Sequence, residues 1–66
     1  MNGIVKKWDK VRGQGFANPI DRQEDCVVHY TDILDRDYLE VGNEVSFDIQ
    51  ETPKGRKAIN VIVIED

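Results

Sequence analysis

Residues 11–20 read Val11-Arg12-Gly13-Gln14-Gly15-Phe16-Ala17-Asn18-Pro19-Ile20, and the fold turns on how this stretch is read. A base, two glycines and a ring crowd into Arg12–Phe16, in a chain with one Trp, two Tyr and two Phe. At the two-residue period of a strand, Gln14 and Phe16 share one face and Ala17 falls on the other. A small Ala17 facing inward leaves Phe16 exposed. Glycines beside Gln14 keep the intervening positions bare, which eases bending of a strand at a barrel corner. Glutamine is the unexpected residue, because it stands on the outward face beside a ring.

Working outward, four more runs are rich in β-branched and aromatic residues: Ile4, Val5 and Trp8; Cys26-Val27-Val28-His29-Tyr30; Val45-Ser46-Phe47-Asp48-Ile49; and Ala58 to Ile64. With Phe16–Ile20 they predict five short strands. Turn-forming groups separate them: Arg12-Gly13, the segment from Pro19 to Asp25, and Thr52-Pro53-Lys54-Gly55. Strict alternation in the fourth run turns Val45, Phe47 and Ile49 to the core, and Ser46 and Asp48 to water. Residues 31–41 predict a helical turn, capped by Thr31 or Asp32 and ended by Gly42. An open five-stranded sheet would leave two unprotected edges, so the expectation is an all-β, five-stranded antiparallel Greek-key barrel of the OB type, with an SH3-like barrel as the second choice.

Sixty-six residues make one small domain, residues 1–66, whose core is barely sufficient for stability. The one cysteine, Cys26, has no disulfide partner, and one Cys with one His falls short of the roughly four ligands of a structural zinc site. No metal and no cofactor are therefore expected. No apolar stretch has the length of a signal peptide or a membrane span, and the chain is read as cytoplasmic, without a membrane partner and as a monomer. Carboxylate pairs such as Glu24-Asp25 fall in a turn, no nucleophile-base-acid set can be assembled, and the chain has little room for a water-excluding pocket. It is not expected to be an enzyme. Formal net charge is -4, yet its distribution is uneven: Lys6, Lys7, Lys10 and Arg12 oppose only Asp9 in the first sixteen residues, whereas residues 17–53 hold most of the acids. One basic side on an acidic protein is the pattern of interest, the alternative being a solvated acidic surface.

Arg12-Gly13-Gln14-Gly15-Phe16-Ala17 and Val27-Val28-His29-Tyr30 resemble the RNP1 and RNP2 motifs of the bacterial cold-shock proteins. Gly3-Ile4-Val5-Lys6 resembles that family's opening, and Gly42 to Ile49, Gly55 and Ala58 to Val61 resemble its closing strands. A lone Gly-x-Gly-Phe carries little weight; ordered matches along nearly the whole chain carry much more. The resemblance implies the OB barrel reached independently from the strand count. It also implies that the second and third strands present rings on which bases of single-stranded RNA or DNA stack, with lysines meeting phosphates, a sequence-tolerant mode of binding.

Several positions depart from the family pattern. The ring expected at 7 is Lys7, with Trp8 following; the first RNP1 ring is Gln14 and the second is kept as Phe16. In the RNP2 motif a phenylalanine becomes Val27, while His29 and an aromatic, Tyr30, are retained. Tyr38 resembles a further stacking ring in a shortened loop. Trp8 reads either as a stacking ring or as a half-buried barrel residue. The inward Cys26 reads as a buried thiol, and His29 as a stacking or phosphate contact. Lys54, Arg56 and Lys57 read as a solvated turn or as the rim of the binding face.

The candidate nucleic-acid-binding set is thus Lys6, Lys7, Trp8, Arg12, Gln14, Phe16, Val27, His29, Tyr30, Tyr38, Lys54, Arg56 and Lys57. Lost rings, at about 1–3 kcal/mol per stacked base, predict weaker or more selective binding than in typical members. Lys7 on a phosphate and Gln14 on a base edge offset part of that loss. The first reading is an RNA chaperone or regulator of transcription or translation. The alternative is a protein-interaction module or antagonist that has lost most nucleic-acid binding and takes a basic protein partner on its acidic segment.

Overall fold

A computed structural model describes residues 1–21 and 24–64. Five strands, β1 (Asn2–Asp9), β2 (Gln14–Pro19), β3 (Cys26–His29), β4 (Glu44–Thr52) and β5 (Gly55–Val63), close into a barrel in the order β1-β2-β3-β5-β4. Every pairing is antiparallel except the seam between β3 and β5, which run parallel and meet at the single pair Val27↔Lys57. The expected barrel is present, with one difference in the last hairpin. β4 and β5 extend through the polar segments Gln50–Thr52 and Gly55–Lys57, pairing as far as Thr52↔Gly55. Cross-strand pairing and a turn clasp, in which Thr52 Oγ1 donates to the Gly55 carbonyl at 2.8 Å, sustain strands there without an apolar face. Of the turn expected from Pro19 to Asp25, Pro19 ends β2, and Arg22 and Gln23 lie outside the described residues.

Strand alternation delivers the core. Val5, Ala17, Cys26, Val28, Val45, Phe47, Ala58, Val61 and Val63 point inward, joined by Ile33 and Leu39 from the long connection between β3 and β4, with Ile49 and Trp8 packed against them. Burial pushes the Cys26 thiol above its usual range, opposed in part by the Arg56 charge, so at neutral pH it remains a protonated, inert thiol.

The helical turn expected within residues 31–41 is a single 3₁₀ turn at Tyr30–Asp32, and its cap is His29, not Thr31 or Asp32. Its brevity has a cause: Ile33 is extended and bridged to Val61, and the Leu34 N–H donates to the Val61 carbonyl at 2.9 Å. Burying Ile33 on β5 outweighs continuing the helix. Further along, the Val5 N–H donates to the Asn43 carbonyl and the Gly42 N–H to the Val5 carbonyl, both at 2.9 Å, tying the connection to β1.

β5 bends at Asn60. The pairing slips between Ser46 and Asp48, leaving two residues of β5 opposite one of β4, and Asn60 has φ 52°. Asn60 Nδ2 donates to Asp48 Oδ2 at 3.1 Å. The bulge explains why Ala58 and Val61, three residues apart, both face the core. Asn60→Gly should leave stability within about 0.5 kcal/mol of the parent, whereas Asn60→Val, β-branched in the left-handed region, should cost about 1–2 kcal/mol. Urea denaturation of the two variants checks this; equal stability of Asn60→Val and Asn60→Gly would sink the account.

Candidate nucleic-acid interface

Register decides which side chains share the outward face of β1, β2 and β3. Lys7 pairs with Phe16, Phe16 with Val27, and Val27 with Lys57. One row across four strands therefore reads Lys7-Phe16-Val27-Lys57, two apolar side chains between two cations. Phe16 and Val27 are each 41 % exposed, too open for core residues. The next row of this face is polar: Asp9 pairs with Gln14, and Gln14 with His29. Arg12 and Asp9 join Lys7, Gln14, Phe16 and Val27 in lining one concavity.

The rows line up because β1 carries a bulge. Its register against β2 shifts between Val5 and Lys7, so that Lys6 is the extra residue and Lys7 comes opposite Phe16. Lys6 is exposed but stands outside the row and does not line the concavity. Gly15 permits the crossing. A Cβ there would lie 2.0 Å from the Lys7 carbonyl oxygen, so the bare position serves close contact between β1 and β2 rather than simple strand bending. Gly13 has a different duty: φ is 64°, and a Cβ would stand 2.6 Å from the Tyr30 ring, which covers it.

Asp9, absent from the expected site, anchors the intervening turn. Its Oδ1 accepts from the Val11 N–H at 2.9 Å and the Arg12 N–H at 3.2 Å, and its carbonyl accepts from the Gly13 N–H at 2.8 Å. Asp followed by a turn with glycine two to four residues later is the sequence signal that reveals such a residue. The Tyr30 N–H donates to the Gly13 carbonyl at 2.8 Å, which fixes the end of β3 against this turn. The His29 and Tyr30 rings lie 4.7 Å apart at 34°. His29 Nδ1 is 2.8 Å from Thr31 Oγ1 and accepts from the Thr31 N–H at 3.4 Å, an assignment that puts the proton of the neutral ring on Nε2.

Trp8 is not on this face. It pairs with the inward-phased Gly15, packs half-buried against the core, and lines a second concavity with Lys10, Gly13, Tyr38 and Leu39. The bulge accounts for the difference, since it hands the outward phase to Lys7. Tyr38, 49 % exposed, is thus brought together with Trp8 and separated from Phe16 by the Gly13 turn.

The last hairpin borders the face through Val27, which lines a third concavity with Lys54, Arg56 and Lys57. Lys54 sits exposed in the turn. Arg56 and Lys57 are already engaged, Arg56 with Asp21 at 3.8 Å and Lys57 with Asp32 at 3.1 Å. These pairs tie β5 to the segments that precede and follow β3. Among the described residues no group of three His, Cys, Asp or Glu side chains is placed to hold a metal ion, and no helix is long and apolar enough to cross a membrane.

Gly15→Ala tests the crossing. Because the clash is with backbone, β1 must shift, and the variant should lose about 1–3 kcal/mol of stability with the Lys7-Phe16 register disturbed. Denaturant titration together with amide exchange at Lys7 and Phe16 reads both; a fully stable variant would exclude the close contact as a constraint.

A family model described as the 'Cold-shock' DNA-binding domain matches residues 1–64. The chain is 39% identical over 66 residues to the cold shock-like protein CspB of Yersinia pestis, covering 97% of this chain and 94% of that protein. It is 37% identical over 67 residues to the cold shock-like protein CspB of Escherichia coli K12, covering 98% and 94%. In structure it is similar to drosophila Unr CSD456, with a TM-score of 0.79 and 24% identity over 97% of this chain. The chain spans about a quarter, 26%, of that much longer chain, and the likeness concerns the fold alone.

Proposed function

Since the chain belongs to the cold-shock domain family, whose members bind nucleic acids and are not enzymes, we propose that it binds single-stranded RNA or DNA on the outward face of β1, β2 and β3. The observation that carries this is the row Lys7-Phe16-Val27-Lys57. A base seated on Phe16 and Val27 loses its apolar faces to the protein while its flanking phosphates come within reach of Lys7 at one end and, once it parts from Asp32, of Lys57 at the other. The His29 ring, at the end of the polar row, and the adjoining Tyr30 ring add further stacking surface, and Trp8 with Tyr38 offers a separate seat to a strand long enough to pass the Gly13 turn.

This face has fewer rings than the family pattern. Within it the rings are Phe16, His29 and Tyr30, with Lys7, Gln14 and Val27 at positions where the resemblance expects aromatics. Binding is accordingly weaker or more selective than in typical members. Such a protein acts in the cytoplasm as a single domain and a monomer. By preferring unpaired strands it melts weak hairpins through mass action, which is RNA-chaperone behaviour, or regulates transcription or translation.

Chemical-shift titration with short single-stranded oligonucleotides at low salt tests the reading. Resonances of Phe16, Val27, His29 and Tyr30 should move together, and unchanged shifts with both RNA and DNA would reject it. Movement confined to the acidic surface on adding a basic protein would favour the interaction-module alternative. Gln14→Phe restores a ring and should tighten binding roughly 5- to 150-fold, the equivalent of one stacked base.

Lys57 makes a separate prediction, because Asp32 holds it in an ion pair. Asp32→Asn should cost less than about 1 kcal/mol of stability and release Lys57 to a phosphate. The slope of log affinity against log salt should then steepen by about 0.7, the value of one further contact on a single strand. An unaltered slope would mean that Lys57 does not contact the strand.

A further inference from the structure

We infer that Gln14 makes this face selective for adenine, by reading the N7 and N6 edge of a base stacked on Phe16; the inference rests on the nucleic-acid reading above and specifies the ligand of the same site. Gln14 and Phe16 are alternate residues of β2, so their side chains rise from one face about 6.5 Å apart along the strand. They line one concavity. A purine lying flat on Phe16 therefore carries its edge toward Gln14, whose amide is placed to hydrogen-bond it.

An amide has the complement of one edge in particular. Its N–H₂ donates to N7 and its carbonyl accepts from N6–H₂ of adenine, the pairing by which glutamine and asparagine recognise that base. Pyrimidines have no N7. Asp9 settles the choice between purines, since it is the direct cross-strand partner of Gln14. Its carboxylate is held in place by the Val11 and Arg12 N–H groups and sets a negative charge beyond the amide. That charge favours the exocyclic amino group of adenine and opposes the O6 carbonyl of guanine. Arg12 lines the same concavity and by itself would favour guanine. The Asp9 carboxylate outweighs it, being fixed by two backbone donors and paired directly with Gln14 across the strands. His29 closes the polar row on the other strand, and with Nδ1 occupied by Thr31 its Nε2–H is the donor it offers.

Stacking alone also favours purines, so the test must hold ring area constant. Affinities are measured by fluorescence anisotropy for a single-stranded DNA hexamer of adenine, the same hexamer with 7-deazaadenine, and hexamers of guanine-interrupted and thymine sequence, each with the parent protein and with Gln14→Leu. The parent should bind adenine most tightly and lose about 2- to 12-fold on replacing N7 by carbon, the worth of one hydrogen bond. Gln14→Leu should bind adenine and 7-deazaadenine equally, while its spectra remain those of a folded barrel. Equal parent affinity for adenine and 7-deazaadenine, or tighter binding of guanine or thymine, overturns the selectivity and leaves the nucleic-acid reading standing. Absence of binding to every hexamer overturns both.

Discussion

The contact on which the interface depends is between two backbones. β1 crosses β2 so closely at Gly15 that a methyl group would meet the Lys7 carbonyl, and the bulge at Lys6 shifts the register to fit. From that crossing follow the alignment of Lys7 with Phe16, the inward phase of Trp8 and the polar row from Asp9 to His29. Side-chain chemistry on this face is therefore set by where two strands can approach, before any individual contact is considered. Hydrophobic burial holds the barrel together, but the steric allowance at one glycine aims its outward residues.

The acidic balance of the chain has a structural explanation. Asp9 caps a turn, Asp25 accepts from Asn18, Asp48 accepts from the bulged Asn60, and Asp21 and Asp32 bind the cations of β5. Each spans a join between segments that the backbone ladders leave incomplete. A small barrel has little core with which to fix its loops, and short carboxylates that accept from backbone or amide donors fix them without lengthening the chain. Five of the acids are thus fastenings of the fold, and one of them, Asp9, stands on the proposed binding face beside Lys7 and Arg12.

Much of this was legible beforehand. Alternation around Val45-Ser46-Phe47-Asp48-Ile49 identified a strand and its face, and the small Ala17 after Phe16 identified an exposed ring, because both depend only on the two-residue period. What period alone does not show is where the period breaks. The bulges at Lys6 and Asn60 depend on a partner strand, and through them Trp8 left the outward face and Ala58 and Val61 came to share the inner one. The 3₁₀ turn was shorter than its sequence suggests because Ile33 is claimed by Val61, more than twenty residues ahead. Polar hairpin ends such as Gln50–Thr52 lack any apolar signal and are held by cross-strand pairing. Arg56 and Lys57 read as a solvated turn or as the rim of the binding face, because the sequence does not show that the fold brings Asp21 and Asp32 beside them.

The parallel seam has a thermodynamic meaning. Between β3 and β5 the ladder contains one pair, supplemented by the Ile33↔Val61 bridge and by ion pairs from β5 to the segments flanking β3. This ladder of one pair is the shortest between named strands, which makes the seam a natural place for local opening. The row from Phe16 through Val27 to Lys57 runs straight over it. A molecule laid along that row touches both lips of the seam at once and acts as a missing length of ladder, so occupancy of the face and closure of the barrel become one equilibrium, each drawing the other forward.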